Sequence, residues 1–286
     1  MSFSSVSILG CGWLGLPLAE RLVRQGVAVR GSTTTPSRIS VLDDAGIEPF
    51  LLRLDPQVTS DEARLEPFFA TDALVLNIPP PRDVDDPMAF HCAQVKSVCA
   101  AAAQGGTQHL VMASSTSVYP NVERRVTETD QPPGAPDALD GPRRRSGRTL
   151  LAAEEAALSA DGLSVSILRL AGLYGGSRQP GRFLAGRTDV SRPRAPVNMI
   201  HQDDAIGSII ALLEREEDGL IVNACASTHP TRERFYTAAA RGLGLEPPTF
   251  DSDDARTGKR VDNQRLLTRV GYVLHHPDVM ADVGDA

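Results

Sequence analysis

The chain has no apolar run approaching the roughly 20 residues that cross a bilayer, and its first residues carry neither the basic nor the apolar region of a signal peptide. Its four cysteines, Cys11, Cys92, Cys99 and Cys225, show no paired spacing of the zinc-binding kind, so no metal site is expected. Cys92 and Cys99 fall on one face of a helical pattern, which predicts ordinary burial. A cytoplasmic protein with reduced thiols is the simplest expectation. Net positive charge is also absent: 29 basic residues stand against 36 acidic ones, giving −7. Such a surface repels nucleic acid and anionic membrane, and neither is an expected partner. There is no internal repeat.

What remains is an ordinary globular composition, with 41% hydrophobic and 23% charged residues. A length of 286 residues holds one large domain, or a nucleotide-binding domain with a smaller lobe. Strand and helix signals alternate through the first 170 or so residues, which argues for an α/β fold, a Rossmann-type doubly wound parallel sheet. Strands are expected at Val6–Leu9, Val27–Val29, Glu48–Leu54, Ala73–Ile78, His109–Ala113 and Leu163–Leu170. Thr35 and Pro36 read as an N-cap and first-turn pair, and residues 120 to 147 as a long surface loop. The division expected is a dinucleotide-binding domain over 1–172 and a smaller, interleaved α/β substrate lobe over 173–286.

Gly10-Cys11-Gly12-Trp13-Leu14-Gly15 lies between the first strand and an amphipathic helix pattern in which Leu14, Leu18, Ala19, Leu22 and Val23 recur. In that context Gly10 permits a tight turn, Gly12 lets a pyrophosphate approach the backbone, and Gly15 allows close helix–strand packing. Ligands of such sheets bind beyond the carboxyl ends of the strands. Those ends supply the candidates: Trp13 and Leu14 in the turn, Ser32 and Thr33, Asp55, Ile78 and Pro79, and the run Ser114 to Tyr119. The segment Arg30 to Arg38 contains hydroxyls and arginines and no acid. A carboxylate there would favour NAD, whereas Arg38 and hydroxyls suit a 2′-phosphate, so NADP is expected, with NAD as the alternative.

These pieces resemble the extended short-chain dehydrogenase/reductases, the NAD(P)-dependent epimerase/dehydratase superfamily. The likeness rests on the glycine turn, the apolar fourth strand, Ser114-Ser115-Thr116-Ser117-Val118-Tyr119, Leu168 to Gly175, and Asn198-Met199-Ile200-His201-Gln202-Asp203-Asp204. The Gly-Trp-Leu-Gly start and Pro180-Gly181-Arg182-Phe183 are similar to an atypical, YeeZ-like subgroup. The resemblance implies a hydride-transferring enzyme acting on a small hydroxyl- or carbonyl-bearing metabolite. In it Ser115 matches the serine that hydrogen-bonds the reacting oxygen.

The superfamily's acid/base pair, a tyrosine with a lysine four residues later, is missing. Alignment on Glu154 puts Ser146 and Leu150 in those places, and no Tyr-x-x-x-Lys occurs in the chain. Three readings stay open. Tyr119, Tyr174 or His201 moves the proton; the protein is a silent NADP(H)-binding sensor or regulator; or the chemistry needs little acid/base help. Thr116, Tyr174, Arg182 and His201 are the candidate substrate contacts, Arg182 for an anionic group. Arg178 flanks the same loop, and Arg143, Arg144, Arg145 and Arg148 lie beside the vacated tyrosine position.

Overall fold

The computed structural model describes residues 2–59, 65–134 and 145–284. Along the chain the elements run β1 (Ser5–Leu9), α1 (Gly15–Arg24), β2 (Ala28–Thr33), α2 (Ile39–Asp44) and β3 (Glu48–Leu51). An antiparallel hairpin of β4 (Arg53–Asp55) and β5 (Gln57–Thr59) precedes α3 (Leu65–Phe69), β6 (Ala73–Leu76), α4 (Pro87–Gly105) and β7 (His109–Ser115). Then come β8 (Arg125–Val126), α5 (Arg145–Leu158), β9 (Ser164–Leu170), β10 (Gly172–Tyr174), α6 (Gly181–Leu184) and β11 (Met199–His201). Next are α7 (Gln202–Arg215), β12 (Ile221–Ala224), α8 (Arg232–Gly242) and β13 (Arg260–Val261). Among the described residues no helix is long and apolar enough to cross a membrane.

The elements form two compact units that alternate along the sequence. Met1–Val118, Pro132–Arg169 and Ile209–Val222 make the first; Tyr119–Gln131, Leu170–Ser208 and Asn223–Ala286 make the second. Ile209–Val222, in the first unit, follows nearly forty residues that belong to the second.

In the first unit the sheet order is β12-β9-β7-β6-β1-β2-β3, and the pairings from β3 through β2, β1 and β6 to β7 are parallel. From β1 the chain goes one way to β2 and β3 and returns on the other side through β6 and β7. That reversal is the switch point where a doubly wound sheet opens a crevice at the strand ends. All four residues of β6 are buried, as a strand covered by helices on both faces requires. Phe68 meets both Phe50 and Phe69 edge-on at 5.2 Å, inside a core that also contains Leu9, Leu74, Val95, Met112 and Ile167. Asp86 caps α4 by accepting from the N–H groups of Met88 and Ala89, and Pro87 opens its first turn. Thr35 makes no such cap: it precedes a short 3₁₀ turn, Pro36–Arg38, and its side chain bonds no helix N–H.

The second unit holds two small parallel pairs, β10 with β11 and β13 with β8. Its core gathers Tyr174, Val197, Met199, Phe235, Val279 and Met280. Part of the expected 120–147 loop is thus structured. Arg125 and Val126 pair with Arg260 and Val261, and Thr127 opens a 3₁₀ turn in a reciprocal capping box with Asp130. A two-residue strand whose partner lies far along the chain leaves no local signal. Residues 135–144 of that expected loop lie outside the described residues.

Candidate functional site

The glycine turn is held from three directions. Gly10 has φ +104°, and a Cβ on it would stand 2.4 Å from the Asn77 carbonyl oxygen. A Cβ on Gly15 would stand 2.2 Å from the carbonyl oxygen of Gly10. A Cβ on Gly12 would meet nothing within 4 Å, so the turn is closed behind and open above its second glycine. Asn77 Nδ2 donates to the Gly10 carbonyl at 3.0 Å, and the Gly10 N–H donates to Ser32 Oγ at 2.9 Å. Arg38 Nη2 donates to the Cys11 carbonyl at 3.1 Å, while its Nε is buried without a hydrogen-bond partner. No acid stands in the first turn of α1, so the positive end of the helix dipole is uncompensated. An open cradle at a helix N-terminus, beside a guanidinium with an unused donor, fits the diphosphate of a dinucleotide.

The other cofactor candidates are distributed around this turn. Trp13 is half-buried; Leu14 is buried and precedes α1. Ser32 is buried and committed to the glycine turn, and Thr33 Oγ1 accepts from the Thr35 N–H at 3.1 Å. Asp55 is exposed in the β4–β5 hairpin rather than at the end of the third sheet strand, because that strand stops at Leu51. Ile78 and Pro79 follow β6 directly. The Cys11 thiol is buried, and burial pushes it up to about 12, so it is a packing group in the turn. Asn77 is the residue the sequence reading missed. Its one signal was a lone amide ending an apolar strand.

At the end of β7, Ser114 donates to Glu154 Oε1 at 2.5 Å, and Glu154 is paired with Arg169. Ser115 is half-buried, and its Oγ accepts from the Ser117 N–H at 3.1 Å, which leaves its own proton to donate elsewhere. Thr116 is buried in the 3₁₀ turn that follows. On α5, Ser146 is exposed and Leu150 is buried. Arg145 Nη2 donates to the Asp85 carbonyl, and Arg148 is half-buried. Arg143 and Arg144 lie outside the described residues.

The remaining candidates belong to the second unit. Tyr119 is buried, and its hydroxyl donates to Asn223 Oδ1 at 2.6 Å. Tyr174 donates to Asp282 Oδ2 at 2.5 Å; burial, and then the Asp282 carboxylate, push its phenol well above the usual range. The Tyr174 phenol is thus a poor proton donor near neutral pH, and the Tyr119 hydroxyl is committed to Asn223. Burial, and then His276, hold His201 below the ordinary imidazole value. Tyr174, Arg178 and His201 line a cleft of about 450 Å³ with Asp282, whereas Arg182 is exposed and donates to Gln179.

A second cleft in this unit, of about 470 Å³, gathers cationic groups that sequence reasoning did not connect. Arg124, Arg125, Arg194 and Arg260 line it with His229, against the carboxylates of Glu123 and Asp262. Arg124 is paired with Asp130 and Arg125 with Asp262. Among the described residues Arg194 and Arg260 form no ion pair. Their guanidinium groups are fit to take an anion by paired hydrogen bonds. Three separate stretches brought together by β8, β13 and the segment near Pro196 make no motif in one dimension.

The model of the NAD dependent epimerase/dehydratase family matches residues 6–223. Protein YeeZ of Escherichia coli K12 is 38% identical over 274 residues, covering 96% of each chain. Among solved structures, a functionally unknown conserved protein from Silicibacter pomeroyi superposes with a TM-score of 0.75 at 23% identity, over 96% of this chain and 95% of that one. MoeE5 in complex with UDP-glucose and NAD gives 0.74 at 19% identity, over 95% and 93%. The parallel order read from β3 to β7, the glycine turn and these matches agree. The chain belongs to the NAD dependent epimerase/dehydratase family.

Proposed function

We propose that the protein is an NADP(H)-dependent oxidoreductase or epimerase-like enzyme acting on a small, anionic metabolite that carries a hydroxyl or carbonyl group. The observation that carries the reading is the open face of Gly12 in a turn otherwise fully buttressed. Gly12 and the start of α1 would hold the diphosphate, and Arg38 would take the 2′-phosphate, since Arg30 to Arg38 contains no acid to repel it. When bound, the nicotinamide supplies hydride transfer. Ser115, with its acceptor side occupied by the Ser117 N–H, would hydrogen-bond the substrate oxygen through its own hydroxyl. With Tyr119 held by Asn223, the proton gained or lost by the substrate oxygen would be exchanged with solvent instead of with a phenolate, and slow turnover is the consequence. The arginine-lined cleft supports an anionic substrate, and the UDP-glucose held by MoeE5 makes a phosphate-bearing one the first to try.

A second reading, a cofactor-binding regulator without turnover, is favoured by one feature: Leu150, buried, stands where the superfamily has its lysine. A screen of NADPH oxidation over phosphorylated and free sugars, keto acids and aldehydes separates the two. Turnover that is lost in Ser115→Ala supports the enzyme. Tight NADPH binding with no turnover in any pool supports the regulator.

A further inference from the structure

We propose that His201, Asp203 and His276 form a site for one divalent transition-metal ion of the zinc class, and that the ion fastens the C-terminal segment to the junction of β11 and α7. One ligand atom from each of the three side chains lies within 4.8 Å of the others. Asp203 Oδ2 is 3.5 Å from His201 Nδ1 and 3.8 Å from His276 Nε2. Ligand atoms about 2.0–2.1 Å from a tetrahedral ion are roughly 3.3 Å apart. Closing the set therefore takes movement of Asp203, which at 60% exposed has the freedom to make it, and a parting of the two imidazole rings.

A second observation points the same way. His276 Nδ1 stands 2.8 Å from Asp282 Oδ1, and a carboxylate on that nitrogen keeps its proton there. The lone pair of Nε2 is then presented on the side of Asp203. A carboxylate behind a ligating imidazole is the arrangement that orients histidines on metals. Asp282 is itself held, since its other oxygen accepts from Tyr174. Asp204 is not part of the ligand set: it accepts from the Tyr272 hydroxyl and from the His275 and His276 N–H groups, which fixes the backbone leading into His276.

The rings of His201 and His276 lie 3.7 Å apart. His201 Nδ1 accepts from the Asp203 N–H at 3.2 Å, so its lone pair must turn from that N–H to reach an ion. Two imidazoles and one carboxylate without a thiolate suit zinc, cobalt or nickel better than copper(I), calcium or magnesium. One position remains for water. The expectation of no metal rested on cysteine spacing, and His276, near the far end of the chain, gives no motif with His201. The inference does not depend on the cofactor reading.

The test uses the full chain, stripped with a chelator and dialysed, then titrated calorimetrically with Zn²⁺ and optically with Co²⁺. The expected result is saturation at one ion per chain, a raised unfolding temperature, and a tetrahedral cobalt spectrum without sulfur charge transfer. Asp203→Asn and His276→Ala should each abolish saturation. Asp282→Asn, which removes no ligand, should weaken binding about 10- to 100-fold, and His275→Ala should leave it unchanged. Because Asp203 is exposed, its amide variant keeps the fold, and its unfolding temperature without metal checks this. No saturable binding, or binding that survives Asp203→Asn and is lost in His275→Ala, overturns the proposal.

Discussion

Glu154 and Arg169 form an ion pair from which water is wholly excluded: both side chains are 0% exposed, and Arg169 Nη2 stands 2.6 Å from Glu154 Oε2. Arg169 Nε adds bonds of 3.1 and 3.2 Å to the same carboxylate, and Ser114 donates to it as well. The pair thus ties α5 to β9 and fixes the end of β7, one residue before Ser115. Removing one partner leaves the other charge buried and unpaired, which costs about 3–5 kcal/mol. Glu154→Ala and Arg169→Ala should each lose that much in urea unfolding. A loss below about 1 kcal/mol would place the pair in a wetter setting than its burial implies.

Two buried histidines make the first unit sensitive to mild acid. His91 and His109 are fully or almost fully buried, and in each burial holds the imidazole below its ordinary value of 6.5. A base whose value is depressed by folding is neutral in the native state and takes up a proton on unfolding. Its contribution is therefore complete above about 6.5 and is lost as pH falls below it. Unfolding free energy should drop between pH 7.5 and 5.5, and His91→Phe should reduce the drop. An unchanged slope in His91→Phe would remove His91 from the account.

Asp72 gives the opposite case. Its carboxylate accepts from the Ser4 N–H, the Ser4 hydroxyl and the Ser5 N–H, and these bonds hold it below its ordinary value of 3.8. An acid depressed by folding stabilises above its unfolded value and loses that contribution as pH falls through the folded one. Asp72→Ala should lower the unfolding temperature at pH 7, and the gap to the parent should narrow below about pH 4. A gap constant with pH would contradict the assignment.

Leu150 and Ser115 separate stability from chemistry. Leu150→Lys places a cation in a buried position and should cost several kcal/mol, so the superfamily's lysine is not recovered by one substitution. Ser115→Ala should cut any turnover by about 100-fold with NADPH affinity unchanged, as steady-state rates beside a binding titration will show. Equal loss of both would mean that Ser115 supports the fold or the cofactor.

The parallel sheet was legible because its strands are short apolar runs punctuated by glycine and proline, and because the glycine turn falls between the first strand and helix. Ser114 and Ser115 were legible as strand-end residues. Asn77 was not, since its role is to meet Gly10, whose place beside it depends on the pairing of β1 with β6. The fate of residues 119–131 was equally hidden: Val126 pairs with Val261, and no periodicity links positions so distant. The arginine cleft and the His201–His276 contact share that property. Burial decided the phenols, because Tyr119 and Tyr174 read alike from their motifs, and only the partners Asn223 and Asp282 show what their hydroxyls do.

The central claim is that the turn at Gly10 to Gly15 holds a dinucleotide against the open face of Gly12. Calorimetric titration of the parent chain and of Gly12→Ala with NADPH and NADH tests it most directly. The predicted result is one cofactor per chain, tighter for NADPH, with affinity lost in Gly12→Ala while the unfolding temperature stays put, since the new methyl meets no protein atom. Absence of binding to either cofactor, or undiminished binding in Gly12→Ala, would contradict it.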